Sequence, residues 1–212
     1  MSEIMPILNL STLAIFAALI VLSVLALTVT IFKVMQFRRM GVGRRAEAEA
    51  ALDDWLNGRP DQAITAAGQG RSVLTRVLAP VMEGLRARPG DTTYAEELGR
   101  QSALEELAAL NGRMRLLEAV VQAAPMLGLL GTIIGMIDAF SALSLSQSAV
   151  DPALLANGIW TALTTTAIGL AIALLTYFAA NWLEARIEAE RQRMEMIIPA
   201  AILGRVGLSG RR

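Results

Sequence analysis

Long apolar runs alternate with charged segments along this chain, and the runs predict its architecture. The runs at 7–32 and 153–183 carry no charge, and the run at 116–145 carries only Glu118 near its start and Asp138 in its interior. A helix needs about 20 apolar residues to cross the hydrocarbon core of a bilayer. Each run is long enough, so the sequence predicts an all-α membrane protein with three transmembrane helices at these positions.

The positive charges predict how these helices are oriented. All 19 Lys and Arg lie in two segments, 13 of them from Lys33 to Arg115 and 6 from Arg186 to Arg212. Segments rich in Lys and Arg stay in the cytoplasm, so the chain is predicted to begin outside and to end inside (N-out, C-in). The other predicted segments are a periplasmic N-terminus at 1–6, a cytoplasmic helical domain at 33–115, a periplasmic loop at 146–152, and a cytoplasmic C-terminal helix and tail at 184–212.

Residues 34–115 are predicted to be helical, because Ala, Leu, Glu and Arg dominate and β-branched residues are few. Gly and Pro mark three breaks, and at the first of them Pro60 is placed to open a helix. A later helix is predicted to begin at Thr93, where Glu96 completes a capping box. No further break occurs between this start and the second span, so the helix is predicted to run from the cytoplasm into the membrane. The third span has no break before Pro199, so it is likewise predicted to continue as a helix into the cytoplasm. The breaks lie at 57–60, 68–70 and 88–90.

The composition excludes several classes of function. The chain has no His and no Cys, which rules out imidazole or thiolate metal sites, Ser–His triads and Cys nucleophiles. Aromatic residues are 5% of the chain, the formal net charge is zero, and no basic stretch is interleaved with aromatic residues, so nucleic-acid binding is not expected. The glycines from Gly128 to Gly135 lack the Lys of a phosphate-binding loop and follow no strand. We therefore predict no enzyme activity, no cofactor, no metal and no nucleic-acid partner.

The second and third spans carry stripes of small residues at helical spacing. Such stripes let two helix backbones approach closely within a lipid bilayer. They can pack the two spans within one subunit, or they can face an oligomer axis or a partner helix. The predicted packing residues are Gly128, Gly131 and Gly135 in the second span and Ala162, Gly169 and Ala173 in the third.

Hydroxyl groups accompany these stripes. A Thr in a membrane often bonds back to a carbonyl of its own helix, but a cluster of them can also line a path for protons. A proton path usually contains an ionisable group in the membrane, and the interiors of the first and third spans have none. If the protein conducts protons, the titrating carboxylate is therefore expected to come from a second subunit. The candidate residues of the pathway are Thr132, Thr161, Thr165, Thr166 and Asp138.

Two segments carry a family resemblance. Residues 124–140 (APMLGLLGTIIGMIDAF) and 158–170 (GIWTALTTTAIGL) resemble the MotA/TolQ/ExbB proton-channel family, and the three-span layout resembles its ExbB/TolQ branch. In that comparison Thr132 and Thr166 match the pore threonines. The resemblance implies a homopentamer in the bacterial inner (cytoplasmic) membrane that encloses an ExbD-like or TolR-like partner, whose single span carries the proton-transferring Asp. It also implies that proton-motive force does mechanical work on a TonB-like or TolA-like protein that spans the periplasm.

The sequence departs from the ExbB/TolQ pattern at two candidate pathway residues. Thr161 stands where this branch usually has Glu, and Asp138 stands where a neutral polar residue is common. Asp138 can substitute for the missing carboxylate, or it can be a salt-linked residue at the outer mouth of its span. Two other functions stay open at this point: a non-conducting oligomeric membrane scaffold, and a relative of the flagellar stator subunit MotA.

Overall fold

The computed structural model describes residues 10–145 and 152–204, and every regular element within those ranges is an α-helix. The predicted all-α fold is confirmed for this part of the chain. The predicted N-terminal segment 1–6 and residues 146–151 of the predicted loop lie outside the described residues. The helices are α1 (Leu10–Arg39), α2 (Ala46–Leu56), α3 (Pro60–Gln69), α4 (Val73–Ala87), α5 (Thr92–Asn111), α6 (Met114–Leu145) and α7 (Pro152–Leu203).

Three helical segments are long and apolar enough to cross a membrane, in agreement with the three predicted spans. They are Ser11–Arg39 in α1, Thr92–Ser141 across α5 and α6, and Leu155–Leu203 in α7. Only 22–28% of the most apolar window in each segment is buried. The remaining apolar surface is the kind that the hydrocarbon core of a bilayer covers.

The chain divides into two compact units. One, called here the apolar unit, comprises Met1–Ile31 and Arg113–Asn181, and the other, the polar unit, comprises Phe32–Gly112 and Trp182–Arg212. Helices α1 and α7 each contribute residues to both units. The candidate pathway residues all belong to the apolar unit, and α2 to α5 belong to the polar unit.

The helix ends in the polar unit follow the predicted breaks. Pro60 is the first residue of α3, where its missing N–H leaves no helical hydrogen bond unmade. Ser72 precedes α4, and its hydroxyl accepts the backbone N–H of Thr75 at 3.2 Å. The first four backbone N–H groups of a helix have no acceptor within the helix, and a side chain such as that of Ser72 satisfies one of them. The three breaks predicted from Gly and Pro are all present.

Two expectations about the helix after the third break are wrong. Asp91 caps α5 instead of Thr93, because the Asp91 carboxylate accepts the backbone N–H of Tyr94 at 3.0 Å. The helix also does not run unbroken into the second span, since Gly112 and Arg113 separate α5 from α6. Arg113 has a φ of 67°, a left-handed conformation that stops an α-helix and that residue type alone does not predict.

The third span continues as a helix well past its apolar part, as predicted. Helix α7 has 52 residues, which corresponds to about 78 Å at 1.5 Å per residue. It passes through Pro199 and ends at Leu203. The indole N–H of Trp55 donates to the carbonyl of Ala201 at 3.2 Å, so a side chain from α2 satisfies a carbonyl in the last turn of α7.

Side chains from α1 satisfy the last carbonyls of α5 in a similar way. Lys33 is fully buried, and its ammonium group donates to the carbonyl of Leu110. The Gln36 amide donates to the carbonyl of Ala109 at 3.0 Å. Carbonyls in the last turn of a helix have no partner inside it and carry partial negative charge, which favours a cation there.

Candidate functional site

The candidate functional residues lie where α6 and α7 pack against each other in the apolar unit. The two helices run antiparallel, since Gly128 lies against Thr166 whereas Gly135 lies against Ala162. On each helix the buried positions recur every three or four residues, and we call this contact the α6–α7 seam. Its buried residues include Ala124, Gly128, Gly131, Gly135 and Ala139 on α6, and Ala162, Thr165, Gly169 and Ala173 on α7.

Glycines let the two backbones of the seam touch. A Cβ atom at Gly128 would lie 3.0 Å from the Cα of Thr166, and a Cβ atom at Gly169 would lie 2.5 Å from the carbonyl oxygen of Ala124. Non-bonded carbon atoms prefer separations of about 3.5–4.0 Å, so neither position accepts a side chain unless a helix moves. In this structure the small-residue stripes therefore pack two helices of one chain.

One threonine hydroxyl crosses the seam. Thr166 Oγ1 donates to the carbonyl of Gly128 at 2.9 Å. Thr165, which is fully buried, donates to the carbonyl of Ala162 in its own helix at 2.7 Å, and its hydroxyl lies 3.5 Å from the Gly128 carbonyl. The crossing bond requires the close backbone approach, because a threonine side chain is too short to span a wider gap between helices.

Two other candidate threonines, Thr132 and Thr161, and the neighbouring Thr164 have no hydrogen bond across the seam in the described residues. Thr132 is half-buried on α6 and donates to the carbonyl of Leu129 at 2.7 Å. Thr164 donates in the same way to the carbonyl of Trp160 at 2.8 Å. Thr161 is half-buried on α7. Thr132 and Thr164 therefore donate their hydroxyl protons within their own helices, as threonines in a membrane often do.

Thr132 and Thr166 lie within about one helical turn of each other along the seam. Thr166 bonds to Gly128, four residues before Thr132, which is about 6 Å along α6. A hydroxyl whose proton is donated to a carbonyl keeps its lone pairs, so both oxygens can accept a hydrogen bond from another molecule. Thr132 also opens onto a shallow groove of about 670 Å³. The groove is lined by Thr132, Ile133, Met136, Ile137, Phe140 and Ser141.

Asp138 lacks the salt link that was one of its two expected roles, as far as the structure describes the chain. One carboxylate oxygen, Oδ2, is buried and has no hydrogen-bond partner. The sequence has no Lys or Arg from 116 to 185, so the spans that surround Asp138 offer it no cation. A buried carboxylate oxygen without a hydrogen-bond partner is costly.

The sequence reasoning missed one residue of the seam. A Cβ atom at Gly158 would lie 2.6 Å from the Cβ of Ala139, so this glycine extends the close contact toward the start of α7. The signal was present, because Gly158 lies four residues before Ala162 and continues the same stripe.

These helices define a multi-pass α-helical membrane protein whose second and third candidate spans pack closely through glycine and alanine. The chain belongs to the MotA/TolQ/ExbB proton channel family, whose family model matches residues 70–196. The match includes the seam and all the candidate pathway residues. It agrees with the resemblance of the segments 124–140 and 158–170.

Individual relatives support the ExbB/TolQ branch. An ExbB homologue of Methanothermobacter thermautotrophicus is 29% identical over 136 residues, which are 64% of this chain and 47% of the relative. The ExbB-like 1 protein of Synechocystis sp. is 30% identical over 183 residues, covering 84% of this chain and 68% of the relative. This chain thus spans less than half the length of the first of these relatives.

A solved structure shows the same fold. The flagellar MotAB stator complex of Bacillus subtilis contains a chain that superposes with a TM-score of 0.54 at 22% sequence identity. The superposition covers 93% of this chain and 79% of the stator chain. At this level of identity the likeness supports the arrangement of helices and not a shared function.

Proposed function

We propose that this chain is the channel subunit of an ExbB/TolQ-like proton-driven motor in the bacterial inner membrane. Its N-terminus lies in the periplasm and its C-terminus in the cytoplasm, as the distribution of Lys and Arg favours. Five copies surround a single-span partner similar to ExbD or TolR, which carries an Asp. The motor does work on a TonB-like or TolA-like protein in outer-membrane transport or envelope maintenance.

The hydroxyl-bearing seam is the observation that carries this proposal. Thr166 and Thr132 place neutral oxygen atoms along a pair of spans that has no cation from 116 to 185. The oxygen atoms of such a wall can accept a hydrogen bond from the protonated Asp of the partner. Each hydroxyl can also rotate and donate its proton to the ionised carboxylate instead of to a helix carbonyl, without trapping the carboxylate in an ion pair. Protonation removes the charge and with it the desolvation cost of leaving the wall. Proton binding and release by the partner would thereby be converted into motion.

The test measures proton flux in proteoliposomes that hold the complex. The chain is expressed with its neighbouring reading frames, and native mass spectrometry of the extracted complex identifies the single-span subunit and its stoichiometry. A pH gradient is then imposed, and its decay is followed with a trapped pH-sensitive dye. The chain purified alone is expected to hold the gradient, and the complex is expected to dissipate it. Dissipation by the chain alone would show that the proton carrier is not in a second subunit.

Thr166→Val is the decisive variant, because valine keeps the shape and removes the hydroxyl. A hydrogen bond to a charged group is worth about 1.5–3 kcal/mol, so the flux is expected to fall about tenfold to a hundredfold. An interhelical hydrogen bond in a membrane contributes only about 0.6 kcal/mol, so the complex should still assemble. Thr164→Val is the matched control, since Thr164 bonds to its own helix at Trp160 and is not a predicted pathway residue. Full flux in the double variant Thr132→Val with Thr166→Val would contradict the proposed wall.

A non-conducting scaffold is the alternative that the same seam could serve. The structure changes which variants separate the two functions. Because Gly131 and Gly135 pack against α7 of the same chain, Gly131→Leu disrupts the fold under either hypothesis. The threonine variants still distinguish a channel from a scaffold, since a scaffold keeps nearly all of its stability and function when a hydroxyl is replaced by a methyl group. Intact assembly and unchanged physiological activity in both threonine variants would favour the scaffold.

A further inference from the structure

Five arginines gather around the turn that follows α1. We call them the arginine patch, and their side chains are exposed. The guanidinium Nη1 of Arg186 lies 3.7 Å from the position that a Cβ atom on Gly43 would occupy, which brings α7 into the group. Arg44 has a carboxylate, Glu47, at 3.9 Å; for the other four no carboxylate lies within 4.0 Å in residues 10–145 and 152–204. The patch consists of Arg38, Arg39, Arg44, Arg45 and Arg186.

The turn that holds the patch is built to be rigid. The Val42 N–H donates to the carbonyl of Phe37 at 3.0 Å and the Gly41 N–H donates to the carbonyl of Arg38 at 3.4 Å, which is the Schellman pattern. Gly41 has the left-handed φ of 67° that this pattern needs. A Cβ atom there would lie 2.8 Å from the carbonyl oxygen of Arg71. The arginines therefore project from a fixed backbone and lose little conformational freedom of the main chain on binding.

The acidic residue closest to this turn does not neutralise the patch. Glu190 is 1% exposed, and its carboxylate accepts the backbone N–H of Gly43 at 2.6 Å. The same carboxylate pairs with Arg193, three residues along α7. The charge of Glu190 is thus used inside the polar unit, where it anchors the turn. Glu47 offsets part of the charge of Arg44, and the other four exposed guanidinium groups have no carboxylate within 4.0 Å in the described residues.

The patch follows directly on an apolar span. Along α1, Arg38 lies six residues after Phe32, about 9 Å farther along the helix. The headgroup layer adds about 5–8 Å to each side of the hydrocarbon core, so the backbone of Arg38 lies at the outer edge of this layer. Its long side chain can reach back to the lipid phosphates, as basic side chains near the ends of transmembrane helices do. On α7, Arg186 stacks over the ring of Trp182 at 5.2 Å, and that ring is 49% exposed. Exposed Trp side chains concentrate at this boundary.

We propose that the arginine patch binds the phosphate headgroup of an anionic phospholipid. Guanidinium groups bind phosphate through paired N–H donors, and clusters of four or more basic residues next to a transmembrane helix attract anionic lipid. The depth of the patch selects a lipid phosphate over free phosphate in solution. The proposal needs only the membrane insertion of α1, and it holds whether or not the complex conducts protons.

The test titrates phosphatidylglycerol against the full chain in nanodiscs of phosphatidylcholine, with bound lipid counted by native mass spectrometry. Each arginine near a membrane surface contributes about a fivefold change in affinity, so Arg38→Gln with Arg39→Gln should weaken binding about twenty-five-fold. The pair Arg44→Gln with Arg45→Gln is expected to do the same. Arg186→Gln, a single change at an exposed position on α7, should weaken binding about fivefold.

The matched control removes two exposed arginines elsewhere in the polar unit, Arg86→Gln with Arg88→Gln, and should leave lipid binding unchanged. If this control loses phosphatidylglycerol binding to the same extent, the effect comes from the net charge of the protein and not from the arginine patch, and the proposal is overturned. Unchanged phosphatidylglycerol binding in Arg186→Gln and in both pairs would overturn it as well. So would displacement of the lipid by inorganic phosphate at equal concentration, since the site would then prefer a soluble anion.

Discussion

Gly131→Ala tests the α6–α7 seam at its tightest point. The new Cβ would lie 2.8 Å from the Cβ of Thr165 and would fall on the Thr165 hydroxyl. Thr165 cannot avoid it by rotating, because a Cβ atom does not move with its own side-chain torsion. To restore a separation of about 3.5–4.0 Å, the two helices must move apart by about 0.7–1.2 Å.

That displacement has a predictable cost. Overpacking of a close contact costs about 1–3 kcal/mol. The same movement stretches the hydrogen bond from the Thr166 hydroxyl to the carbonyl of Gly128, now 2.9 Å, beyond the usual limit of about 3.0 Å for a hydroxyl donor. Its loss adds about 0.6 kcal/mol. We therefore expect Gly131→Ala to lower the free energy of unfolding by about 1.5–3.5 kcal/mol.

The assay is SDS-induced unfolding of the full chain in detergent micelles, followed by Trp fluorescence. Gly68→Ala is the matched control, since nothing lies within 4 Å of the new Cβ and the change should stabilise helix α3 by about 0.5–1 kcal/mol. Thr165→Gly completes a double-mutant cycle, which should show a coupling energy of about 0.5–3 kcal/mol in the direction of rescue. A Gly131→Ala variant as stable as the parent chain, or a cycle without coupling, would refute the close approach of the two backbones.

Two further predictions concern the polar unit. Gly41→Ala should destabilise the chain by about 1–2 kcal/mol, because alanine is strained at a φ of 67°; an unchanged thermal midpoint would contradict the assigned turn. Lys33→Met should leave the Leu110 carbonyl without its ammonium donor, at a cost of about 1–3 kcal/mol. Hydrogen exchange should then accelerate in the last turn of α5, and equal protection in both proteins would show that Lys33 does not hold that helix end.

The sequence predicted the spans and the faces that the helices bury. Charged groups are costly in hydrocarbon, so an uninterrupted apolar run such as 153–183 specifies a span without reference to the rest of the chain. A stripe such as Gly128, Gly131 and Gly135 likewise fixes one helix face, because the helical period is local. Pro60 opened α3 for the same reason, since its fixed φ and missing N–H act within one turn.

Only the tertiary structure decided which groups meet. Thr166 and Gly128 are 38 residues apart in sequence. The spacing of residues along each helix does not predict that the hydroxyl of Thr166 bonds to the other helix whereas that of Thr132 does not. The burial of Lys33 likewise depends on a distant neighbour, since its ammonium group donates to the carbonyl of Leu110, 77 residues away in sequence. The physical reason is range: helical propensity and hydropathy act over a few residues, whereas a close contact depends on two surfaces that the fold alone brings within 3 Å.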